Sequence, residues 1–120
     1  MKQKTKITEI SFHFSLEIIK LYKKLRSEKE YIISKQLLRS ATSIGANVHE
    51  ASAGFSKRDF AHKMLIASRE ARETQYWLKI LKDGKMVNHD LTKYMDEIQS
   101  IINITTAIVK TTQKSLKQID

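Results

Sequence analysis

The chain has 120 residues, 41% of them hydrophobic, which fits one domain over residues 1–120 with a single core. It has three glycines and neither proline nor cysteine, so a turn-rich β-sandwich is disfavoured, and disulfides, thiolate metal sites and thiol nucleophiles are excluded. Lysine and arginine number 22 against 13 acidic residues, and the net charge of +9 favours polyanionic partners, chiefly nucleic acid. Because the sequence has neither an apolar run of about 18 residues nor a signal-peptide pattern, we expect a cytoplasmic protein without membrane contact.

The first two predicted helices span residues 7–27 and 31–53 and are joined by the polar residues 27–30. The apolar stripe of the first consists of Ile7, Ile10, Phe14, Ile18, Leu21 and Leu25. The stripe of the second consists of Leu37, Ala41, Ile44, Val48 and Ala51. Gly54 then ends the second helix as a C-terminal cap. Gly45 lies inside that helix, where glycine costs about 1 kcal/mol relative to alanine, and it predicts a close approach of a neighbouring helix.

The third predicted helix begins after Ser56, an N-cap with Asp59 three residues on, and ends at Asp83–Gly84. Its predicted core face consists of Phe60, Met64, Ala67, Ala71, Thr74, Leu78 and Leu81. The fourth helix is predicted to begin near residues 88–90 and to be about 45 Å long. Its apolar stripe, typical of coiled-coil-like packing, consists of Leu91, Met95, Ile98, Ile102, Thr105, Val109, Thr112, Leu116 and Ile119. Four helices with short connections predict an all-α, up-down-up-down four-helix bundle.

Two of the predicted helices carry apolar residues away from their core stripes. These candidates for an oligomer interface are Phe12, Leu16 and Ile19 in the first helix and Leu65, Tyr76 and Ile80 in the third. A helix that is apolar on two sides is usually buried on two sides, which predicts self-association. The alternative is that they are scattered surface residues, which are common on soluble proteins.

The titratable residues give little support to catalysis or metal binding. A di-iron bundle site needs two Glu-x-x-His motifs, whereas only the Asp-x-x-His at residues 59–62 approaches that spacing. Glu70 and Glu73 form either an acid–base pair or, more in keeping with their surroundings, ion pairs across a helix or subunit contact with Arg69, Arg72 or Arg39. The sequence has no glycine-rich phosphate loop and no nucleophile elbow. We therefore expect a non-enzymatic protein without metal or cofactor.

The third predicted helix has a basic surplus that favours phosphate contact. Its candidate nucleic-acid-binding residues are Lys57, Arg58, Arg69, Arg72 and Lys79. Because no base-reading motif is visible, these side chains are expected mainly to neutralise phosphates.

Residues 36–51, QLLRSATSIGANVHEA, form a motif rich in small residues, in which Asn47 is expected to fix register or to close a polar bond between helices. The other positions that mark the motif are Arg39, Ser43, Gly45 and Glu50. A second block consists of Phe60, Ala67-Ser68, Glu70-Ala71, Glu73-Thr74 and Trp77-Leu78. In this order and at this separation, the two blocks resemble those of the 23S rRNA intervening-sequence proteins, which are bacterial four-helix-bundle proteins sometimes labelled ribosomal. The resemblance covers nearly the whole chain, although Ala51 stands where many members have glycine.

The resemblance implies an assembly and a class of ligand. Members are encoded within insertions in 23S rRNA genes or elsewhere in genomes. A related branch, the accessory variability protein of diversity-generating retroelements, forms a barrel-shaped homopentamer that binds nucleic acid and a reverse transcriptase. For this chain the resemblance implies a ring-like homopentamer that contacts RNA or DNA through basic residues. The alternative is a protein–protein adaptor or scaffold, without a nucleic-acid ligand, in which the second apolar faces dock another protein.

Overall fold

A computed structural model describes the backbone of residues 2–119 and the side chains of residues 6–118. Within these residues the chain forms no strand, and its helices are α1 (Lys2–Ser27), α2 (Ile33–Ala53), α3 (Lys57–Asp83) and α4 (Thr92–Ile119). Consecutive helices pack against each other, and α4 packs back on α1. This is the packing order expected of an up-down-up-down four-helix bundle. The bundle measures 51 × 23 × 22 Å.

The boundaries between α2 and α3 follow the sequence signals. Gly54 adopts a left-handed conformation, with φ of 55°, and its N–H donates to the carbonyl of Ala51 at 3.2 Å. Ser56 Oγ accepts a hydrogen bond from the backbone N–H of Asp59 at 3.0 Å and so caps α3. The predicted glycine C-cap and serine N-cap are both confirmed, because each depends on contacts within a few residues.

The starts of the other helices differ from prediction. α2 begins at Ile33 because the Glu30 carboxylate accepts hydrogen bonds from the N–H groups of Ile32, Ile33 and Ser34, at 3.2, 3.1 and 2.6 Å. A side chain predicted only as part of a polar connection is thus the cap that starts the helix. α1 begins at Lys2 rather than residue 7, since the lysines and glutamine that precede the apolar stripe are good helix formers.

α4 begins at Thr92, later than the predicted start at residues 88–90. The Asp90 carboxylate accepts a hydrogen bond from the Thr92 N–H at 2.9 Å, so Asp90 precedes the helix as its cap instead of lying within it. Hydrogen bonds from the Thr92 side chain and backbone, with a smaller contribution from the charge of Lys82, hold the pKa of Asp90 below its ordinary value.

The predicted apolar stripes form most of the core. All five predicted core residues of α2 are buried, as are Met64, Ala67, Ala71, Thr74, Leu78 and Leu81 of α3. Phe60, Ile10, Met95 and Leu116 are only partly buried, whereas Ala61, Ser68, Ile101 and Ile108 are buried outside the predicted stripes. The buried face of α4 is wider than a heptad seam because this helix contacts both α3 and α1. The side chain of Ile119 lies outside the described residues.

Gly45 lies at a close approach of α2 to α1. A Cβ built on Gly45 would lie 3.2 Å from Ser15 Oγ and 3.5 Å from the carbonyl oxygen of Ser11. Ser15 Oγ also donates to the carbonyl of Ala41 at 3.4 Å, which joins the two helices at the same level. The predicted close packing over Gly45 is therefore present, and α1 is the neighbouring helix.

Polar side chains hold α2 against α3. Arg39 donates to Glu70 at 3.0 Å and also pairs with Glu73, so one guanidinium bridges two carboxylates on successive turns of α3. Ser40 and Thr74 form a buried hydrogen bond of 2.8 Å between the same helices. These contacts support the structural interpretation of Glu70 and Glu73, with Arg39 as their partner within one chain.

Asn47 does not form the predicted bond between helices. Its amide donates to the Ser43 carbonyl at 2.9 Å and to Ser43 Oγ at 3.2 Å, both in α2. The side chain returns to its own helix because an acceptor one turn earlier is within reach of a short amide. Glu50, by contrast, does join two helices, since it pairs with Lys63 of α3 at 3.1 Å.

Candidate nucleic-acid interface

Two polar stripes face each other where α3 packs on α4. On α3, Arg72, Gln75, Lys79 and Lys82 recur at spacings of three and four, and they line one side of a groove. On α4, the opposite stripe consists of Gln99, Asn103, Thr106 and Lys110. We call this surface the α3/α4 groove. It contains two adjoining clefts of about 570 and 390 Å³, and Arg72 lines both of them.

Hydrogen bonds across the α3/α4 groove leave its positive charge in place. Gln75 Nε2 donates to Gln99 Oε1 at 2.8 Å, and Arg72 Nη2 donates to Thr106 Oγ1 at 3.1 Å. Further along the same contact, Lys57 Nζ donates to Ser115 Oγ at 2.7 Å. Amide and hydroxyl acceptors are neutral, so these bonds do not neutralise the charge of Arg72 or Lys57, whereas Arg39 pairs with two carboxylates.

The charge of the groove is predominantly positive. Its lining cations are Arg72, Lys79, Lys82 and Lys110, and Asp83 is the acidic residue at one end. In the part of the chain that the structure describes, Lys79 and Lys110 form no ion pair. A cleft lined by one sign of charge raises the local concentration of oppositely charged ligands, here polyanions.

The predicted basic residues fall into two groups. Lys57, Arg72 and Lys79 contact or face α4 and belong to the α3/α4 contact. Arg58 and Arg69 are exposed and lie three helical turns apart on the outer side of α3.

Sequence reasoning missed the α4 side of the groove. The spacing of Gln99, Asn103, Thr106 and Lys110 by four, three and four residues is visible in the sequence. It was overlooked because three of the four residues are uncharged. The spacing indicates a polar helix face, but only the packing of α4 on α3 shows which basic residues it meets.

An aromatic pair stands at the edge of the groove. Tyr76 lines the larger cleft and is 56% exposed, and its ring lies edge-to-face on Trp77 with centroids 5.2 Å apart. Trp77 packs against the core, and its indole N–H donates to Glu73 at 3.1 Å. The exposed Tyr76 ring therefore contacts a tryptophan that is fixed by the core and by its hydrogen bond to Glu73.

The candidate interface residues do not form a single surface. Phe12 and Leu16 are 65% and 44% exposed on the outer side of α1, and Ile19 lies one turn further on. Phe12 also lines an apolar groove of about 600 Å³ between α1 and α2. On α3, Leu65 packs partly against the core, Ile80 is half-buried, and Tyr76 lines the basic groove. The largest apolar exposure among these six residues is thus on α1.

The described residues contain neither a cluster of metal-ligating side chains nor a helix that could span a bilayer. Among the side chains that the structure describes, no three His, Asp or Glu residues lie close enough together to hold an ion. None of the helices in residues 2–119 is both long enough and apolar enough to cross a bilayer.

Comparison with known families agrees with this architecture. The sequence model of the family described as 23S rRNA-intervening sequence protein matches residues 3–107. The chain belongs to this family. The motif of residues 36–51 and the second block on α3 both lie inside the matched region, so the resemblance drawn from them is confirmed.

A solved structure supports the same assignment. The chain is 38% identical to a protein of unknown function from the S23 ribosomal protein family of Bacteroides thetaiotaomicron VPI-5482, with a TM-score of 0.70. The match covers 96% of this chain and 98% of the other. No curated protein matches the chain.

Proposed function

We propose that this 23S rRNA-intervening sequence protein is a non-enzymatic, self-associating bundle that binds RNA or DNA along the α3/α4 groove. The observation that carries the proposal is the way α3 meets α4. At this contact Arg72 and Lys57 donate to hydroxyl groups, not to carboxylates. Phosphates of a nucleic acid would supply the missing negative charge, and each contact would release a condensed counterion.

At two other helix contacts of the bundle, carboxylates accept the hydrogen bonds of the basic side chains. α2 is tied to α3 by Arg39 with Glu70 and Glu73, and α1 is tied to α4 by Glu17 with Lys93 at 3.2 Å. The lysine and arginine charges at those contacts are neutralised by carboxylates of the same chain. The lysines of the α3/α4 groove therefore represent the part of the +9 charge that is best arranged for an external polyanion.

The test is nucleic-acid binding as a function of salt. Fluorescence anisotropy with labelled RNA and DNA should give an affinity that falls steeply with ionic strength. The variant Lys79→Glu with Lys110→Glu should weaken binding to every sequence and flatten the log–log salt slope by about 1.4–1.8, since each lost phosphate contact contributes about 0.7–0.9.

A matched control separates the groove from net charge. Lys23→Glu with Lys24→Glu makes the same change in charge on exposed residues of α1. We expect a smaller loss of affinity and a smaller change in slope for this control. Equal losses in the two double variants would contradict a site in the groove. If the parent protein binds neither RNA nor DNA at low salt, the nucleic-acid proposal fails and the adaptor alternative replaces it.

Self-association is the second part of the proposal, and the exposed α1 face supports it. Light scattering coupled to size exclusion should give a mass several times the 13.9 kDa of one chain. Phe12→Glu with Leu16→Glu should lower that mass while helical circular dichroism persists, because two charges would enter an apolar contact. Phe55→Glu is the control, since this side chain is 91% exposed on the α2–α3 connection. A monomeric parent at micromolar concentration would remove the oligomer and with it the ring-like pentamer.

A further inference from the structure

We infer that the α3/α4 groove takes single-stranded nucleic acid, with Tyr76 as a platform on which one base stacks. The inference rests on the proposed function, because it names the form of nucleic acid that this groove would bind. Three features carry it: an aromatic side chain that is more than half exposed, cations beside its ring, and a groove that continues beyond them.

The ring of Tyr76 is held in place by a series of contacts that reaches α2. Trp77 contacts Tyr76 edge-to-face, with an interplanar angle of 69°. The indole N–H of Trp77 donates to Glu73, and Glu73 pairs with Arg39 of α2. Tyr76 is nevertheless 56% exposed. An aromatic side chain that is oriented before binding loses little entropy when a base stacks on it.

The surroundings of Tyr76 suit a base with phosphates on either side. The larger cleft, of about 570 Å³, is lined by Arg72, Lys79 and Lys82 together with Tyr76. Stacking on an aromatic ring combined with a positively charged track along the backbone is the usual arrangement in single-strand binding. Gln75 in the same cleft offers an amide that can bond a base edge.

The groove is longer than one nucleotide requires. Along α3, Arg72 to Lys82 spans about 15 Å at 1.5 Å per residue. Beyond Arg72 the second cleft continues along α4 to Lys110. A mononucleotide would leave this second cleft empty, so the continuity of the groove favours a strand.

A duplex would use only part of this arrangement. Its bases are stacked on one another and present their edges, so only the lysines and arginines of the groove would find partners on it. A single strand can turn a base onto Tyr76 as well, because its bases are free to unstack. The exposed tyrosine is the feature that a purely phosphate-binding groove does not need.

The experiment compares three probes of equal length, about 16 nucleotides, which is the upper end of common single-strand site sizes. They are an oligothymidylate, a fully abasic strand with the same phosphates, and a duplex. We expect the oligothymidylate to bind about 5–150-fold more tightly than the abasic strand, the range for one stacked base. Tyr76→Ala should remove that difference, and Tyr76→Phe should keep it.

The protein contains its own reporter for this site. Trp77 is the single tryptophan of the chain and contacts Tyr76, so its fluorescence should change with oligothymidylate and not with the abasic strand. Light scattering on each variant keeps the comparison valid, because Tyr76 is also a predicted interface residue. A lower mass for Tyr76→Ala would assign the side chain to a contact between copies and would overturn the inference.

Two further outcomes are decisive and distinguishable. If the oligothymidylate and the abasic strand bind the parent equally, or if the duplex binds most tightly, the single-strand inference is wrong while the nucleic-acid proposal stands. If none of the three probes binds at low salt, both fail together.

Discussion

Gly45 is the position where one added carbon tests the packing of α2 on α1. A Cβ there would lie 3.2 Å from Ser15 Oγ and 3.5 Å from the carbonyl oxygen of Ser11. The Ser15 hydroxyl is within hydrogen-bonding distance of the Ser11 carbonyl, at 3.1 Å, and of the Ala41 carbonyl, at 3.4 Å. It can move away from a new methyl group only by weakening these contacts, whereas the backbone of Ser11 cannot move without shifting α1.

The change in the free energy of unfolding depends on the balance between better helix propensity and tighter packing against α1. Gly45→Ala gains about 1 kcal/mol of helix propensity and risks a hydrogen bond worth about 0.5–1.5 kcal/mol, so its stability should stay within about 1 kcal/mol of the parent. Gly45→Val adds two γ-carbons to a Cβ that already touches α1. We expect it to lower the free energy of unfolding by about 1–3 kcal/mol through overpacking.

Urea unfolding at a fixed protomer concentration measures the change, because the proposed self-association would make apparent stability depend on concentration. A loss of 1 kcal/mol should lower the melting temperature by roughly 3–6 °C for a chain of this size. Ala107→Val, at an exposed position of α4, gives the propensity cost of valine alone. If Gly45→Val is as stable as Gly45→Ala, the contact is not tight and the role assigned to Gly45 is wrong.

Ion pairs between helices give two further predictions. Arg39→Lys keeps the charge, but the lysine cannot bridge two carboxylates with one planar group. The free energy of unfolding should therefore fall by about 0.5–1 kcal/mol. An unchanged urea midpoint would refute this prediction. The hydrogen bond from Lys93, with the charge of Lys20, holds the pKa of Glu17 below its ordinary value of 4.5. The ionised Glu17 carboxylate therefore stabilises the folded protein above pH 4.5, and this stabilisation is lost as pH falls through the lower pKa of the folded state. Parent and Glu17→Gln should therefore differ in melting temperature at neutral pH and converge in strong acid, and a constant difference would contradict the pairing.

The fold was predictable where the signals are local or periodic. The core stripe of α2 and the caps at Gly54 and Ser56 depend only on residues a few positions apart. The width of the α4 core was not predictable, because Ile101 and Ile108 are buried beside the predicted stripe of a helix that packs on both α3 and α1. A single apolar stripe does not show how far the buried face of a helix extends to either side of it.

The candidate site was predictable on one helix only. The basic residues of α3 were recognised from charge, but Lys110 and the amides of Gln99 and Asn103 were not, since their significance depends on lying opposite Arg72 and Gln75. Ion pairs of Glu70 and Glu73 with arginines were predicted, but only the packing of α2 on α3 shows that Arg39 is the partner. Sequence spacing defines the face of one helix, whereas a groove needs two faces and the packing that joins them.

The bundle uses its acidic residues and its surplus cations in different places. Ion pairs join α2 to α3 and α1 to α4 through Glu70, Glu73 and Glu17, so removing those charges should destabilise the protein. The polar contact of α3 with α4 relies instead on neutral acceptors, as in the bond between Gln75 and Gln99. Lys79 and Lys110 form no ion pair with the described residues, so we expect their removal to leave the packing of α3 on α4 intact. A loss of binding in the lysine variants without a loss of stability would be the outcome that assigns those charges to a ligand.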